Sequence, residues 1–336
     1  MSYKAKPIFF LNPVRSTPQL KEAMTSFLDE VWLPMHSYDD ELVLFHYTNL
    51  EGLKGIINSR SIWLTHSSTL NDPSELEYGK NLILSILENV KSNESNSTMK
   101  IFLDGLITNF SAFNLFPYNT YVASFCELDN LLSQWRIYAS RGSGYNIGIK
   151  FNSDTIFYHE LHENEKESYV ILRKIIYNAD KQNEIVSNYV SSIVSSAKEA
   201  INWFNERGGL PEAWESIAAI EAVDILFDLM LSFKNPAFLE ENEWRLIKVM
   251  QSNYKPYLIR FREIEGKLIP YLNTYIADIK NSKLFFPIYS IKIGPMLDEN
   301  SYKSILEVFI NNQAALNHKI GINPNVKITG AGYSLR

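Results

Sequence analysis

Cysteine is almost missing from these 336 residues, with Cys126 the only one. An internal disulfide framework is therefore excluded, and so is a metal site built from several thiolates. Long apolar runs are missing as well. The opening MSYKAKPIFFLNPVRS has no secretory h-region, and AVDILFDLML is short and carries Asp224 and Asp228. Together these absences predict a soluble cytoplasmic protein with no membrane partner. A basic excess is missing too: 32 Lys and Arg stand against 38 Asp and Glu, a formal charge of −6. Arg60, Arg136, Arg141 and Lys150 are scattered, not striped, so a nucleic-acid-coating protein is excluded while a local basic groove is not.

Several motifs of known chemistry are absent or fail on spacing. Neither GxSxG nor GxxxxGK[ST] occurs. RGSGYNIG puts Ile147 where a dinucleotide loop needs its third glycine, and it runs into a strand instead of a helix. In YHELHENE, His159 and His162 are three apart, and Glu163 stands where a zinc-protease motif needs histidine. A charged loop is the better reading, and no metal is expected.

What is present is ordinary globular material, 46% hydrophobic and 21% charged. Leu20, Met24, Phe27 and Leu28 give a helical face within 19–31. ELVLFH (41–46) predicts a strand, and Thr48 with Glu51 a capping box for a helix carrying Leu50, Leu53, Ile56 and Ile57. SIWL (61–64) is a return strand. Helices near 75–92 and 98–113 are separated by the polar Asn93–Ser97 break. YVASFCE (121–127) reads as a buried strand, LLSQWRIYA (131–139) as a short helix, and YNIGIKF as a strand with one buried face. Ile185, Tyr189, Ile193, Ala197, Ile201 and Phe204 mark a long helix ended by Gly208-Gly209 and Pro211, with a second over Trp214–Phe233. Strand patterns follow at 243–250, 257–261, 268–272 and 288–293, then a helix around 301–312 and a strand at 326–329. The prediction is one α+β domain over 1–336, with an N-terminal extension (1–40) and a helical-pair insertion at about 180–235.

Two stretches concentrate polar groups. His46 ends a predicted strand, and Tyr47 and Thr48 follow it just before a helix, where ligands meet backbone donors. LNDPSE (70–75) reads by itself as a turn. In FLEENEWRLI (238–247), Glu241, Glu243 and Arg245 alternate at a predicted strand start and so share one face. Two carboxylates on one face repel unless a cation or hydroxyls lie between them. A surface Glu–Arg ladder is the plainer alternative.

In order, FHYT, IWL, LNDPSE, ASFCE, LLSQWRIYA, GYNIGIKF, FLEENEWRL, the IGP of Ile293–Pro295 and VKIT…YSLR resemble the domain-of-unknown-function 2971 family. That resemblance runs from Leu42 to Arg336, though no motif in 180–235 takes part. The family looks like a branch of the ADP-ribosyltransferases, includes phage-defence toxins that modify RNA, and has an opening similar to DarT-type DNA-modifying toxins. The resemblance implies a mixed β-sheet core of ADP-ribosyltransferase type and NAD as substrate. It implies Glu243 as the carboxylate that stabilises an oxocarbenium-like ribose, with Glu241 orienting the acceptor and His46 bonding ribose hydroxyls. Tyr47, Trp135 and Tyr138 all qualify by type to stack on nicotinamide. The resemblance also puts Thr48, Asn71, Asp72 and Ser124 at the cofactor, and Arg136 at its pyrophosphate. The acceptor it implies is nucleic acid, RNA before DNA, with protein as the alternative. An antitoxin or chaperone-like partner is expected on the same ground.

Overall fold

The computed structural model describes residues 42–70, 74–112, 120–152, 155–158, 170–210, 214–249, 259–264, 266–280 and 282–333. The predicted N-terminal helix (19–31), Asn71, Asp72, His159 and His162 lie outside them. Among the described residues, thirteen strands join in one branched sheet, mostly antiparallel, and helices cover it, giving a mixed α+β architecture.

The centre is β3 (Thr120–Cys126), paired along its whole length with β7 (Glu243–Val249). Side chains alternate between the two faces of these strands. On one face, Val122 and Ile247 sit under helices α2 (Ser74–Asn93), α3 (Ser97–Ser111), α5 (Ala179–Asn205) and α6 (Trp214–Met230). On the other, Tyr121, Ala123, Phe125, Trp244 and Leu246 enter a second core. That core also holds Ile57 of α1 (Leu50–Ser59) and Ile310 of α7 (Glu299–Ala315). Burial on both faces explains why β3 reads as a nearly continuous apolar run.

The other edge of β3 is shared. β2 (Ser61–His66) pairs with it at Thr65↔Val122 and His66↔Tyr121. β1 (Leu42–Thr48) pairs with it at Phe45↔Cys126. The strands part between these contacts, so 123–125 lie at a fork. β2 continues into β9 (Lys267–Lys280), which pairs with β8 (Arg260–Ile264). From β1 the sheet runs through β4 (Tyr145–Phe151) and β11 (Ile288–Ile293) to β13 (Lys327–Gly330).

Several expectations shift. Asn49, not Thr48, caps α1, accepting from the Gly52 amide at 2.8 Å. Leu50 is exposed, and only Leu53, Ile56 and Ile57 form the buried stripe. Strand β4 is buried on both faces, because Asn146 points inward and donates to the Asp129 carbonyl at 2.9 Å. Arg60 is no surface cation: its guanidinium is buried on the Ile57 and Asn58 carbonyls and on Gln313, tying α1 to α7. The helical pair α5–α6 lies in the connection between β6 (Val170–Lys174) and β7, which are antiparallel neighbours. It shares its core with α2 and α3.

The loop Ser140–Gly142 has three successive left-handed residues, with φ of 48°, 55° and 94°. It nests against the IGP turn, where the Gly294 amide donates to Gly144 O and the Met296 amide to Gly142 O, both at 3.0 Å. A Cβ on Gly294 would lie 2.3 Å from Gly142 O, so this approach requires glycine.

Candidate functional site

On the helix-covered face of β3 and β7, the apolar pair Val122–Ile247 gives way to polar groups. Ser124 is directly opposite Arg245, and Cys126 opposite Glu243. One strand further, Arg173 of β6 lies opposite Arg245. Ser124 is exposed although its strand is central, so the helical layer ends here and the sheet is open at the fork. Its hydroxyl is near enough to the Glu243 carboxylate to favour the ionised form.

Glu243 is 5% exposed and Arg245 1%, which removes the surface-ladder alternative. Arg245 grips the carboxylate twice, Nε to Oε1 at 2.8 Å and Nη2 to Oε2 at 3.1 Å. Lys234 adds its ammonium, 3.1 Å from Glu243 Oε2 and 2.5 Å from Glu241 Oε2. Burial alone would raise the Glu243 pKa. The Arg245 and Lys234 charges and the Ser124 hydroxyl outweigh it and hold the carboxyl at about 2.

The two glutamates do not converge by strand alternation. Glu241 ends a short 3-10 turn (Pro236–Glu241), Asn242 takes a left-handed conformation (φ 43°), and the strand begins at Glu243. Lys234 joins the carboxylates, supplying the cation that two such groups on one face require. The backbone around it is well anchored. Gln182 Nε2 donates to Lys234 O at 2.9 Å, and the Lys234 amide donates to Ile176 O. Arg173 Nη1 donates to Ser232 Oγ at 2.7 Å, and the Glu243 amide donates to the Tyr177 hydroxyl at 3.1 Å.

His46 stands at the fork. Its Nδ1 is 2.9 Å from the Ser124 carbonyl, which can only accept, so Nδ1 carries the proton and Nε2 is an acceptor in the neutral ring. Burial, against the Ser124 bond and with help from the Arg262 charge, lowers the His46 pKa and favours that neutral form.

The structure thus brings Glu243, Glu241, His46 and Ser124 together. Tyr47 and Trp135 sit apart in a small core with Cys126, Ala139 and Ala331. Tyr47 donates to Leu128 O and accepts from the Leu131 amide, both at 2.8 Å, and meets Trp135 edge-on with ring centroids 5.0 Å apart. Trp135 is fully buried, with Nε1 donating to Asn130. Tyr138, capping α4 (Leu132–Ile137), is half-buried, and Arg136 on that helix is exposed. Thr48 is half-buried at the end of β1. The Cys126 thiol is buried and pushed up to about 11, which disqualifies it as a nucleophile. Among the described residues, no group of three His, Cys, Asp or Glu is placed to hold a metal, and no helix is long and apolar enough to cross a membrane.

Lys234, Arg173 and Arg262 were missed by the sequence reading. Lys234 had one available signal, the unbalanced carboxylate pair seven residues on. Arg173 and Arg262 lie in strands without any motif.

With this geometry in view, one comparison is positive. Residues 134–246 match the family described as Protein of unknown function (DUF2971). The match covers about a third of the chain. It takes in the QWRIYA, GYNIGIKF and ENEWR segments and the whole helical pair, and it leaves FHYT, LNDPSE, ASFCE, IGP and the C-terminal motif outside. This span is narrower than Leu42 to Arg336, and it includes the stretch 180–235 that had offered no motif. Neither the curated proteins nor the solved structures contain a significant match to the chain.

Proposed function

We propose that this chain is an NAD-dependent ADP-ribosyltransferase that modifies nucleic acid, RNA before DNA, as a cytoplasmic toxin or defence effector. The observation that carries the reading is the exposed Ser124, beside the ionised, Arg245-held Glu243 at an open fork in the sheet. A substrate hydroxyl entering the fork can take the place of the Ser124 hydroxyl beside Glu243. His46 Nε2 offers a second acceptor for a ribose hydroxyl.

In the reaction, the bond between nicotinamide and ribose breaks, and its electron pair leaves with nicotinamide. Glu243 stabilises the positive charge that develops on the ribose. Arg245 and Lys234 keep that carboxylate ionised and immobile, so no reorganisation is needed as charge develops. The acceptor nucleophile then forms the new bond to ribose, with Glu241 placed to orient it and take its proton. Glycosyl transfer of this kind needs no metal.

A second reading has an observation of its own. Both oxygens of Glu243 already have cationic partners, as expected of a module that keeps the fold, has lost the chemistry and binds a partner. Labelled NAD incubated with separate pools of RNA, DNA and protein decides between them. Label in one pool names the acceptor class, including the protein alternative. No label and no nicotinamide release refutes the transferase. An antitoxin or chaperone-like partner belongs to the toxin reading, and normal growth of cells making the lone active chain would remove it.

A further inference from the structure

Across the fork, a guanidinium is held in place with no acidic partner among the described residues. Arg262 of β8 lies 5.2 Å from the Trp63 ring centroid and 5.4 Å from that of Tyr271. The two rings are themselves 5.0 Å apart and inclined by 38°. One terminal nitrogen donates to Thr65 Oγ1 at 2.8 Å. The Nε atom is buried and has no hydrogen-bond acceptor among the described residues. Arg245 is by contrast held on Glu243 and Leu231 and Lys234 on two glutamates, while the buried Arg60, whose terminal nitrogens are held by carbonyls and Gln313, likewise has an Nε without an acceptor among the described residues.

Its position is specific. Thr65 is the β2 residue paired with β3 immediately before the strands part, and the Arg262 charge reaches His46 on the other side. A buried N–H donor without an acceptor costs free energy unless a ligand completes it. The two tilted rings and Thr65 hold the guanidinium in place, and a held guanidinium suits two parallel hydrogen bonds to one tetrahedral anion.

We propose that Arg262 is the phosphate-binding residue of the fork, oriented by Trp63, Tyr271 and Thr65 and taking a phosphate group through Nε and an adjacent terminal nitrogen. The site serves the function proposed above, where two sources share this chemistry: the pyrophosphate of a dinucleotide and the phosphodiester of a nucleic-acid acceptor.

Calorimetric titration of the full chain tests it, with inorganic pyrophosphate, NAD, a short single-stranded oligoribonucleotide and adenosine as a phosphate-free control. Wild type is compared with Arg262→Gln and Arg262→Lys, each checked by thermal unfolding. Arg262→Gln is expected to weaken pyrophosphate binding roughly tenfold or more, the scale of a lost charge-assisted contact, and to leave adenosine unaffected. Parallel weakening of NAD alone assigns the site to the dinucleotide, of the oligonucleotide alone to the acceptor, and of both to a shared site. If the glutamine variant does not fold, Arg262→Lys decides: it keeps stem and charge but loses the planar fork, and weaker pyrophosphate binding is expected. Wild-type pyrophosphate affinity in a folded variant overturns the proposal, as does a wild type that binds no pyrophosphate. These are equilibria without turnover, so a failure to release nicotinamide would sink the transferase reading and leave this result standing.

Discussion

Lys234 and Glu243 meet inside the protein at 3.1 Å, and the same ammonium reaches Glu241, so one cation holds two carboxylates nine and seven residues away. Removing one member of a buried ionic group costs more than the group itself contributes, because the remaining charges stay desolvated. Lys234→Met is therefore expected to destabilise the fold by about 3–5 kcal/mol. Adding Glu241→Gln is expected to restore part of that loss, since it removes one of the two facing carboxylates. Urea unfolding of the single and double variants checks this, and a double variant no more stable than the single one would contradict it.

The same cluster sets an acid limit. The folded pKa of Glu243 is depressed to about 2, so its contribution is present above the ordinary carboxylate range. It is lost as pH falls toward 2. Wild type is expected to lose stability in this acid window, and Lys234→Met to lose less there, because without the ammonium the folded Glu243 pKa lies closer to its unfolded value. Chemical-denaturation midpoints along a descending pH series measure the difference.

The chemistry is tested by Glu243→Gln, which keeps the shape of the side chain better than alanine does. If Glu243 stabilises the developing ribose charge, nicotinamide release is expected to fall roughly hundredfold or more. A folded Glu243→Gln protein with wild-type turnover would refute its role. Arg245 loses its anionic partner in this variant, so melting temperature must be followed alongside the rate.

How much of this site could be read in advance differs by residue. Most strands and helices were legible, because alternation and helical stripes follow directly from which faces are buried. Glu241, Glu243 and Arg245 stood out because like charges two residues apart need an explanation. Their convergence was read correctly for the wrong reason: a left-handed Asn242 brings the carboxylates together, and single-strand periodicity carries no sign of that. Lys234, Arg173 and Arg262 were illegible because their partners are made by strand pairing and loop closure over long separations. The short strands Ile156–Tyr158, Lys283–Phe285 and Ile320–Gly321 escaped as well, being too brief to show a period.

Tyr47 separates a structural from a ligand-stacking role. Its hydroxyl joins the Leu128 carbonyl and the Leu131 amide, and Tyr47→Phe leaves both without that partner. A loss of about 1–3 kcal/mol in unfolding free energy is expected, with NAD affinity unchanged because the ring itself is retained and buried. A variant with wild-type stability would show that these two contacts do not hold the 128–131 turn.

His46 has a pH signature of its own. Its folded pKa lies below 6.5, so between that value and the folded one the unfolded chain binds more protons. Its contribution is therefore present above pH 6.5 and lost as pH falls below it. Comparing wild type with His46→Gln at about pH 7.5 and about pH 5.5 should show a smaller pH-dependent loss in the variant. If His46 Nε2 accepts a ribose hydroxyl, wild-type NAD affinity falls only as pH drops through the folded pKa, below the ordinary histidine value, where protonation removes the acceptor.

Lys248 provides a second case of the same sign, a buried amine that the candidate site does not use. It is 2% exposed, and burial alone pushes its pKa down to about 7. With the folded value below the unfolded one, the unfolded chain binds more protons from about pH 7 up to the ordinary lysine range. Stability should therefore rise with pH across that interval. Lys248→Met keeps the length of the side chain without its charge, and is expected to raise stability at neutral pH by about 2 kcal/mol and to flatten the alkaline rise. Thermal unfolding of both proteins from neutral to alkaline pH reads out both effects. A methionine variant that unfolds earlier than wild type would mean that the amine makes a contact the fold depends on.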